Sequence, residues 1–258
     1  MTDGVHVLTP EYYEQLSQLE RDHWWWRGVR RIGDRMLDRI DSPVREWRVL
    51  DAGCGTGLTL SWIRRYTTRA PVGLDRAIEA LRFCRAAGHR ELLQADATAL
   101  PFGNAQFNLA LSLDVIQHLP RPAGTTAALA ELARVLAPGG YLLLRTNSRC
   151  GYAEGADADY YRYSLEEVRS LLMSTGFDCT ASSYINCAPA LAVTAARAIL
   201  RRGAGTRDPG LPRLSNASRG AIGRLCYAWL TLEAMYVRHV NRSLPFGHSI
   251  IALARTRH

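Results

Sequence analysis

The stretch from Val49 to Gly57, Val-Leu-Asp-Ala-Gly-Cys-Gly-Thr-Gly, constrains the fold more than any other part of the chain. A short apolar run leads into Asp51, glycines follow at 53, 55 and 57, and a helix-like pattern starts at Leu58. This predicts a strand, a tight loop and a helix start. Glycine admits positive φ and lets the backbone touch a ligand, because no Cβ intervenes. The N–H groups of such a loop point at whatever polar group lies over the helix N-terminus.

The same alternation continues downstream. The pattern predicts strands over 47–51, 70–75, 91–94, 107–113 and 141–146. Helices are predicted between them over 58–66, 76–87 and 123–136, the last closed by Pro138-Gly-Gly140. Residues 107–113 are apolar nearly throughout, as a parallel strand covered on both faces should be. Strands alternating with helices over a hundred residues argue for a parallel sheet with helices on both sides. Ahead of it, Thr9 and Pro10 suit the cap and first position of a helix over 9–21, and a second helix is expected over 25–40. Beyond it, Ser164 and Glu167 stand at capping-box spacing for a helix ending at Thr175-Gly176. A strand over 177–186, helices over 190–202 and 218–240, and a last strand over 249–254 complete the reading. The chain thus divides into a helical cap, 1–44, a core of 45–186 plus 245–258, and a helical insertion, 187–244.

Charge is unevenly spread. The 258 residues carry a net +8, and every basic residue counted is Arg. Residues 197–258 hold eleven arginines against Asp208 and Glu233, so the whole excess lies in the last quarter. A basic terminal region suits an acidic partner: a phosphate-bearing substrate, a carrier protein or an anionic lipid surface. Six scattered cysteines without a C-x-x-C pair argue for reduced thiols and against a zinc site. The first residues lack a basic region followed by an apolar one, and no apolar run reaches spanning length. The expectation is a cytoplasmic protein without integral membrane association.

Glycine spacing narrows the ligand. A dinucleotide fingerprint is G-x-G-x-x-G, whereas this chain has G-x-G-x-G, and a P-loop needs a lysine it does not possess. Asp51, just before the glycines, is awkward for a pyrophosphate and useful beside a cation. Asp75 ends the second strand, where the two hydroxyls of a ribose lie in a doubly wound fold. Asp96 ends the third, placed to accept from an exocyclic amine or to cap a turn. Residues 47–147 resemble a class I S-adenosylmethionine-dependent methyltransferase. The matching pieces are Val49–Gly57, Gly73-Leu-Asp75, Ala95-Asp-Ala97 with the following Leu-Pro-Phe102, Phe107–Leu119 and Leu132–Leu144. The His23-Trp-Trp-Trp-Arg27 and Pro245-Phe-Gly-His-Ser249 flanks resemble a small-molecule branch of that family.

The resemblance implies an α/β fold, a doubly wound, Rossmann-like, seven-stranded and mostly parallel sheet, with S-adenosyl-L-methionine as cofactor. Gly53, Cys54, Gly55 and Gly57 would lie under its amino-acid end and sugar, and Asp51 would help hold the ammonium. Asp75 would take the ribose hydroxyls, Arg76 would flank the adenine, and Asp96 and Ala97 would bind it. Leu113, Asp114 and Trp25 would complete the cofactor site. Arg30 or Arg31 would meet the cofactor carboxylate. Neighbouring helical residues are about 100° apart, so Trp24, Trp25 and Trp26 cannot all face one core. They line a cleft or staple the N-terminal helices.

No ligand cluster for a metal is present in the sequence, and methyl transfer requires none. His118, four residues after Asp114, is the candidate base for a hydroxyl acceptor, against a residue that merely packs. Tyr160, Tyr161 and Tyr163 line an acceptor pocket or form an aromatic staple. The expected acceptor is a small molecule, phosphate-bearing or carrier-bound, methylated on O or N. A homodimer is compatible with this. Nucleic acid is disfavoured, because no Asn/Asp-Pro-Pro-aromatic motif and no basic-aromatic stripe crosses the core. The alternatives are a cyclase or decarboxylase that keeps the cofactor, and a non-enzymatic cofactor-binding scaffold.

Overall fold

In the computed structural model, residues 9–41, 44–150, 161–187, 220–239 and 242–257 are described. Seven strands run in the order β3-β2-β1-β4-β5-β7-β6. They are β1 (Val49–Ala52), β2 (Val72–Asp75), β3 (Leu92–Gln94), β4 (Phe107–Leu113), β5 (Leu136–Asn147), β6 (Phe177–Ile185) and β7 (Ser249–Thr256). β1 to β5 pair in parallel, and β7 enters antiparallel between β5 and β6. The sheet is therefore mostly parallel, as expected. The chain goes from β1 outward to β2 and β3, then returns to β4 on the other side of β1. That reversal opens a crevice at the carboxyl ends of β1 and β4, where ligands bind in open α/β sheets.

Period-two alternation sends each strand's side chains to two cores. Leu50, Ala110, Leu142, Leu144 and Ala252 face one, together with Leu129 and Leu132 of α5 (Ala123–Val135) and Val168 and Leu172 of α6 (Leu165–Ser174). Val49, Leu109, Leu111, Leu143 and Ile251 face the other. There they meet Ile32 and Met36 of α2 (Trp24–Leu37), Ile63 of α3 (Leu58–Ile63) and Leu230 and Ala234 of α7 (Ala221–His239). The remaining α-helices among the described residues are α1 (Pro10–Asp22) and α4 (Ile78–Ala86).

Local signals fix several ends. Thr9 Oγ1 accepts from the Tyr12 N–H at the start of α1, and Ser164 and Glu167 form the anticipated reciprocal capping box on α6. Among the described residues, three boundaries differ from the sequence reading by three residues or more. α3 ends at Ile63 and not at Tyr66, because the Arg65 and Tyr66 N–H groups donate in a tighter turn to the Trp62 and Ile63 carbonyls. α2 stops at Leu37, three residues early, because the chain turns there through Met36 and Leu37 carbonyls that accept from Arg39 and Ile40. β5 starts at Leu136, and Pro138-Gly-Gly140 lies inside it instead of ending the helix. Opposite Phe107 and Leu109 stand Leu136 and Tyr141, so the extra residues bulge out. Gly139 takes φ 71° there, and its carbonyl accepts from Arg255 Nε. The helix expected over 190–202, and residues 218, 219 and 240 of that expected over 218–240, lie outside the described residues.

Candidate cofactor site at the strand ends

The loop after β1 is held in shape by its neighbours. Gly53, Gly55 and Gly57 all take positive φ, at 91°, 52° and 87°. A Cβ on Gly53 would stand 2.2 Å from Val115 Cγ2, so only glycine fits. A Cβ on Gly55 would meet nothing within 4 Å, leaving open space over the middle of the loop. The N–H groups of Gly53 and Cys54 both donate to the Leu74 carbonyl, at 2.7 and 3.0 Å. Buried Asp75, ending β2, accepts from the Gly55 N–H at 2.9 Å on one oxygen and from the Ala77 N–H at 2.9 Å on the other. A carboxylate offers about four lone-pair sites, so these two bonds leave acceptor capacity for a diol.

Asp51 stands apart. It is 1% exposed, and neither carboxylate oxygen has a hydrogen-bond partner among the described residues. Burial raises its pKa well above the usual range, the charges of Asp75 and Glu20 add to this, and Arg145 opposes it. A buried carboxylate left unpartnered is costly, and a bound cation would supply the missing partner.

Glu20 comes from α1, which lies across the loop. Its carboxylate accepts from Thr56 Oγ1, and burial lifts its pKa to about 7 against the pull of that bond, Arg30 and Arg145. Tyr13 packs on Ala77, the N-cap of α4, and on Ala80 within it. The Tyr12 hydroxyl is raised to about 12, first by burial and then by the charges of Asp114, Glu20 and Asp75. Tyr12, Glu20 and Thr56 escaped the sequence reading. The available signal was the i, i+4, i+8 face of Tyr12, Leu16 and Glu20, an acid aligned with apolar neighbours.

Arg30 and Arg31 separate clearly. Arg30 is half-buried and donates to the Glu20 carbonyl at 3.3 Å, whereas Arg31 is exposed and is not brought to the site. Trp24 and Trp26 are buried, and half-buried Trp25 packs edge-on to Trp26 with the Arg145 guanidinium 5.2 Å from its ring. Arg145 also grips Asp114, at 2.6 Å, so the Asp114 carboxylate is committed to an ion pair at the edge of the site. Leu113, ending β4, is half-buried.

Past β3, Asp96 accepts from the backbone N–H and the hydroxyl of Thr98, at 2.8 and 2.7 Å, and these bonds hold its pKa down. The turn-capping reading of Asp96 is thus realised, with the half-buried Ala97 beside it. Arg76 is exposed and its carbonyl accepts from Gln94, tying β2 to β3. Cys54 is buried with its sulfur 3.7 Å from that of Cys84.

His118 ends a 3-10 turn, Ile116–His118, beyond β4. Its ring is exposed at the surface yet crowded by protein on its inner side, which lowers its pKa against the Asp114 charge. Gln117 pins the turn: its side-chain oxygen accepts from Thr146 Oγ1 and the Asn147 N–H, at 3.0 and 3.1 Å. The expectation that Tyr163 lines an acceptor pocket is not met. It is wholly buried, its hydroxyl lies 3.1 Å from Thr125 Oγ1, and it donates to the Ile116 carbonyl, so it braces the core. Tyr161 is half-buried, with Arg121 3.7 Å above its ring and Glu167 accepting from its hydroxyl at 3.0 Å. Tyr160 lies outside the described residues. Two surface hollows, one lined by Arg39, Ser182 and Arg242 and one by Asp38, Arg65 and Tyr66, contain none of these residues. The candidate site is the edge roofed by α1. Among the described residues, no group of His, Cys, Asp and Glu is arranged to hold a metal ion.

Residues 50–144 match a family model described as a methyltransferase domain. A protein of Encephalitozoon cuniculi that bears a methyltransferase name is 38% identical over 140 residues, covering 54% of this chain and 60% of its own. The malonyl-[acyl-carrier protein] O-methyltransferase of Halorhodospira halophila is 30% identical over 227 residues, covering 79% and 70%. Two Mycobacterium tuberculosis proteins bearing an S-adenosylmethionine-dependent methyltransferase name are 28% identical over 182 residues, and the chain spans 64% of their length. Among solved structures, phosphoethanolamine N-methyltransferase 2 of Haemonchus contortus, in complex with S-adenosyl-L-methionine, superposes with a TM-score of 0.62. The match covers 100% of this chain and 62% of that one, and at 16% identity it speaks for the fold. With the domain match beginning at the glycine loop and a relative 30% identical over 79% of this chain and 70% of its own length, the chain belongs to the S-adenosylmethionine-dependent methyltransferases.

Proposed function

We propose that the chain transfers a methyl group to a small-molecule or carrier-bound acceptor, with S-adenosylmethionine held along the ends of β1, β2 and β3. The observation that carries this is Asp51, a buried and unpartnered carboxylate beside a glycine loop with open space over Gly55. When bound, the cofactor supplies an activated methyl on a positively charged sulfur. Asp51 and Glu20 then neutralise its ammonium, Arg30 meets its carboxylate, and Asp75 accepts from its ribose hydroxyls. Asp96 and Ala97 flank the adenine.

The chain's own work is chiefly alignment. Holding acceptor and methyl in line can supply about 7–11 kcal/mol. His118, exposed at the carboxyl end of β4 and kept neutral by its crowded setting, accepts the proton from a hydroxyl acceptor. The named substrate of the Halorhodospira relative supports a carrier-bound acceptor.

Titration calorimetry with S-adenosylmethionine tests the site. Wild type is expected to bind, and Asp75→Ala to bind at least tenfold more weakly, since a buried charged acceptor contributes about 1.5–3 kcal/mol. Equal binding by the two proteins would reject the assignment. Incubation with labelled cofactor and candidate acceptors separates a transferase from a scaffold, which would give no labelled product.

A further inference from the structure

α7 is apolar on two faces. Its inner face, Leu230, Ala234 and Val237, packs on α2 and the sheet. Its outer face carries Leu225, Trp229, Leu232 and Met235, exposed by 70%, 43%, 59% and 52%. Steps of four, three and three residues put these side chains on one side of the helix. They are four of the six large apolar side chains exposed among the described residues, so outward hydrophobicity is concentrated on this one element. Trp229 is held in place, because its indole N–H donates to the buried Glu233 at 2.6 Å while part of its ring stays open. An exposed apolar strip of this length marks an interaction surface.

The flank of that strip is positive. The two charged residues exposed on α7 are Arg224 and Arg238, and its one acid, Glu233, is inside. Next to them run exposed Arg27 and Arg31 of α2, with the Arg27 guanidinium 4.6 Å from the Tyr227 ring. The acid within this flank is Asp38, 2.7 Å from Arg35 and 3.6 Å from Arg238.

We propose that the outer face of α7 and the arginine flank shared with α2 form a docking surface for an anionic lipid membrane. Helices with an apolar face bordered by arginine lie in the plane of the interface, with the apolar side among the acyl chains and the cations at the headgroups. Charge favours this occupant over a second copy of the chain, which would bring its own arginine flank against this one. Attachment is peripheral: no helix among the described residues is long and apolar enough to cross a membrane. The surface does not depend on the methyl-transfer reading, since none of its residues lies in the cofactor site.

Flotation of the full chain with vesicles tests this. Binding is expected to equimolar phosphatidylcholine and phosphatidylglycerol, to be at least tenfold weaker to phosphatidylcholine alone, and to fall with added salt. Trp229→Glu with Leu232→Glu should abolish flotation. Arg27→Glu with Arg224→Glu should weaken it by about fivefold or more per residue. Leu225→Ser with Leu232→Ser, a milder pair on the same exposed face, should weaken it while the thermal midpoint stays near that of wild type. Wild type that ignores anionic vesicles, or outer-face variants that float equally well, would overturn the proposal. So would a dimer in sedimentation that the Glu pair dissociates without any vesicle binding by wild type, since the face would then join two copies.

Discussion

A carboxylate in the last turn of a helix faces the negative end of the helix dipole, so α1 taken alone disfavours Glu20 where it stands. What holds it there is the Thr56 hydroxyl and the nearby Arg30 and Arg145. With its pKa lifted to about 7, Glu20 keeps a proton below neutrality and is ionised above it. A cationic cofactor pairs with the ionised form, so its affinity should rise from about pH 5.5 to pH 8 with uptake coupled to proton release. Glu20→Gln should reduce that slope and weaken binding at pH 8 by about ten- to a hundredfold. Calorimetry in buffers of different ionisation enthalpy reads the proton count, and an unchanged count in Glu20→Gln would refute the role. The three aspartates were legible in the sequence because each ends or follows a strand, and strand ends of a wound sheet share one edge. Glu20 was not, because its contact with Thr56 crosses 36 residues and depends on how α1 folds back.

At the scale of elements, local chemistry foretold most of what formed. Capping residues, glycine loops and apolar runs act over a few positions, so α1, α6 and β4 emerged close to their expected bounds. The start of β5 did not, since Pro138-Gly-Gly140 has the composition of a turn and only pairing with β4 turns it into a bulge. The α2–α7 seam was equally hidden. Gly28 lets the helices approach: a Cβ there would stand 2.2 Å from Leu230 Cδ1 and 2.7 Å from Leu230 Cβ. Nothing in the sequence near Gly28 names a partner two hundred residues away. Gly28→Ala should therefore destabilise the protein by about 1–3 kcal/mol through overpacking, although alanine is the better helix former. Leu230→Ala placed on top should cost less in that background than in wild type. Urea unfolding of the four proteins measures this, and strict additivity would show that the two residues are uncoupled.

Over the described residues as a whole, the carboxyl groups with shifted pKa values fall into two sets with opposite signs. Asp96, Glu131 and Glu167 have lowered pKa values through hydrogen bonds and arginine neighbours. They stabilise the fold above the ordinary carboxylate range and lose that contribution as the pH falls through their lowered values. Asp51, Glu20 and Asp75 are raised, chiefly by burial. For these the folded state holds protons that the unfolded chain releases, so stability drains away as pH climbs above the ordinary carboxylate range, for Glu20 from about 4.5 through about 7. The cofactor-free protein should then be most stable in mildly acidic solution and weaker at pH 8, an unusual direction for a chain so rich in arginine. A cation bound among the raised acids removes their cost, so S-adenosylmethionine should shift the melting temperature more at pH 8 than at pH 5.5. The uncharged thioether 5′-methylthioadenosine, lacking the ammonium, should show little of that difference. Melting curves at the two pH values with each ligand decide it. A larger shift at pH 5.5, or equal pH dependence for both ligands, would mean that the buried acids do not face the charged end of the cofactor.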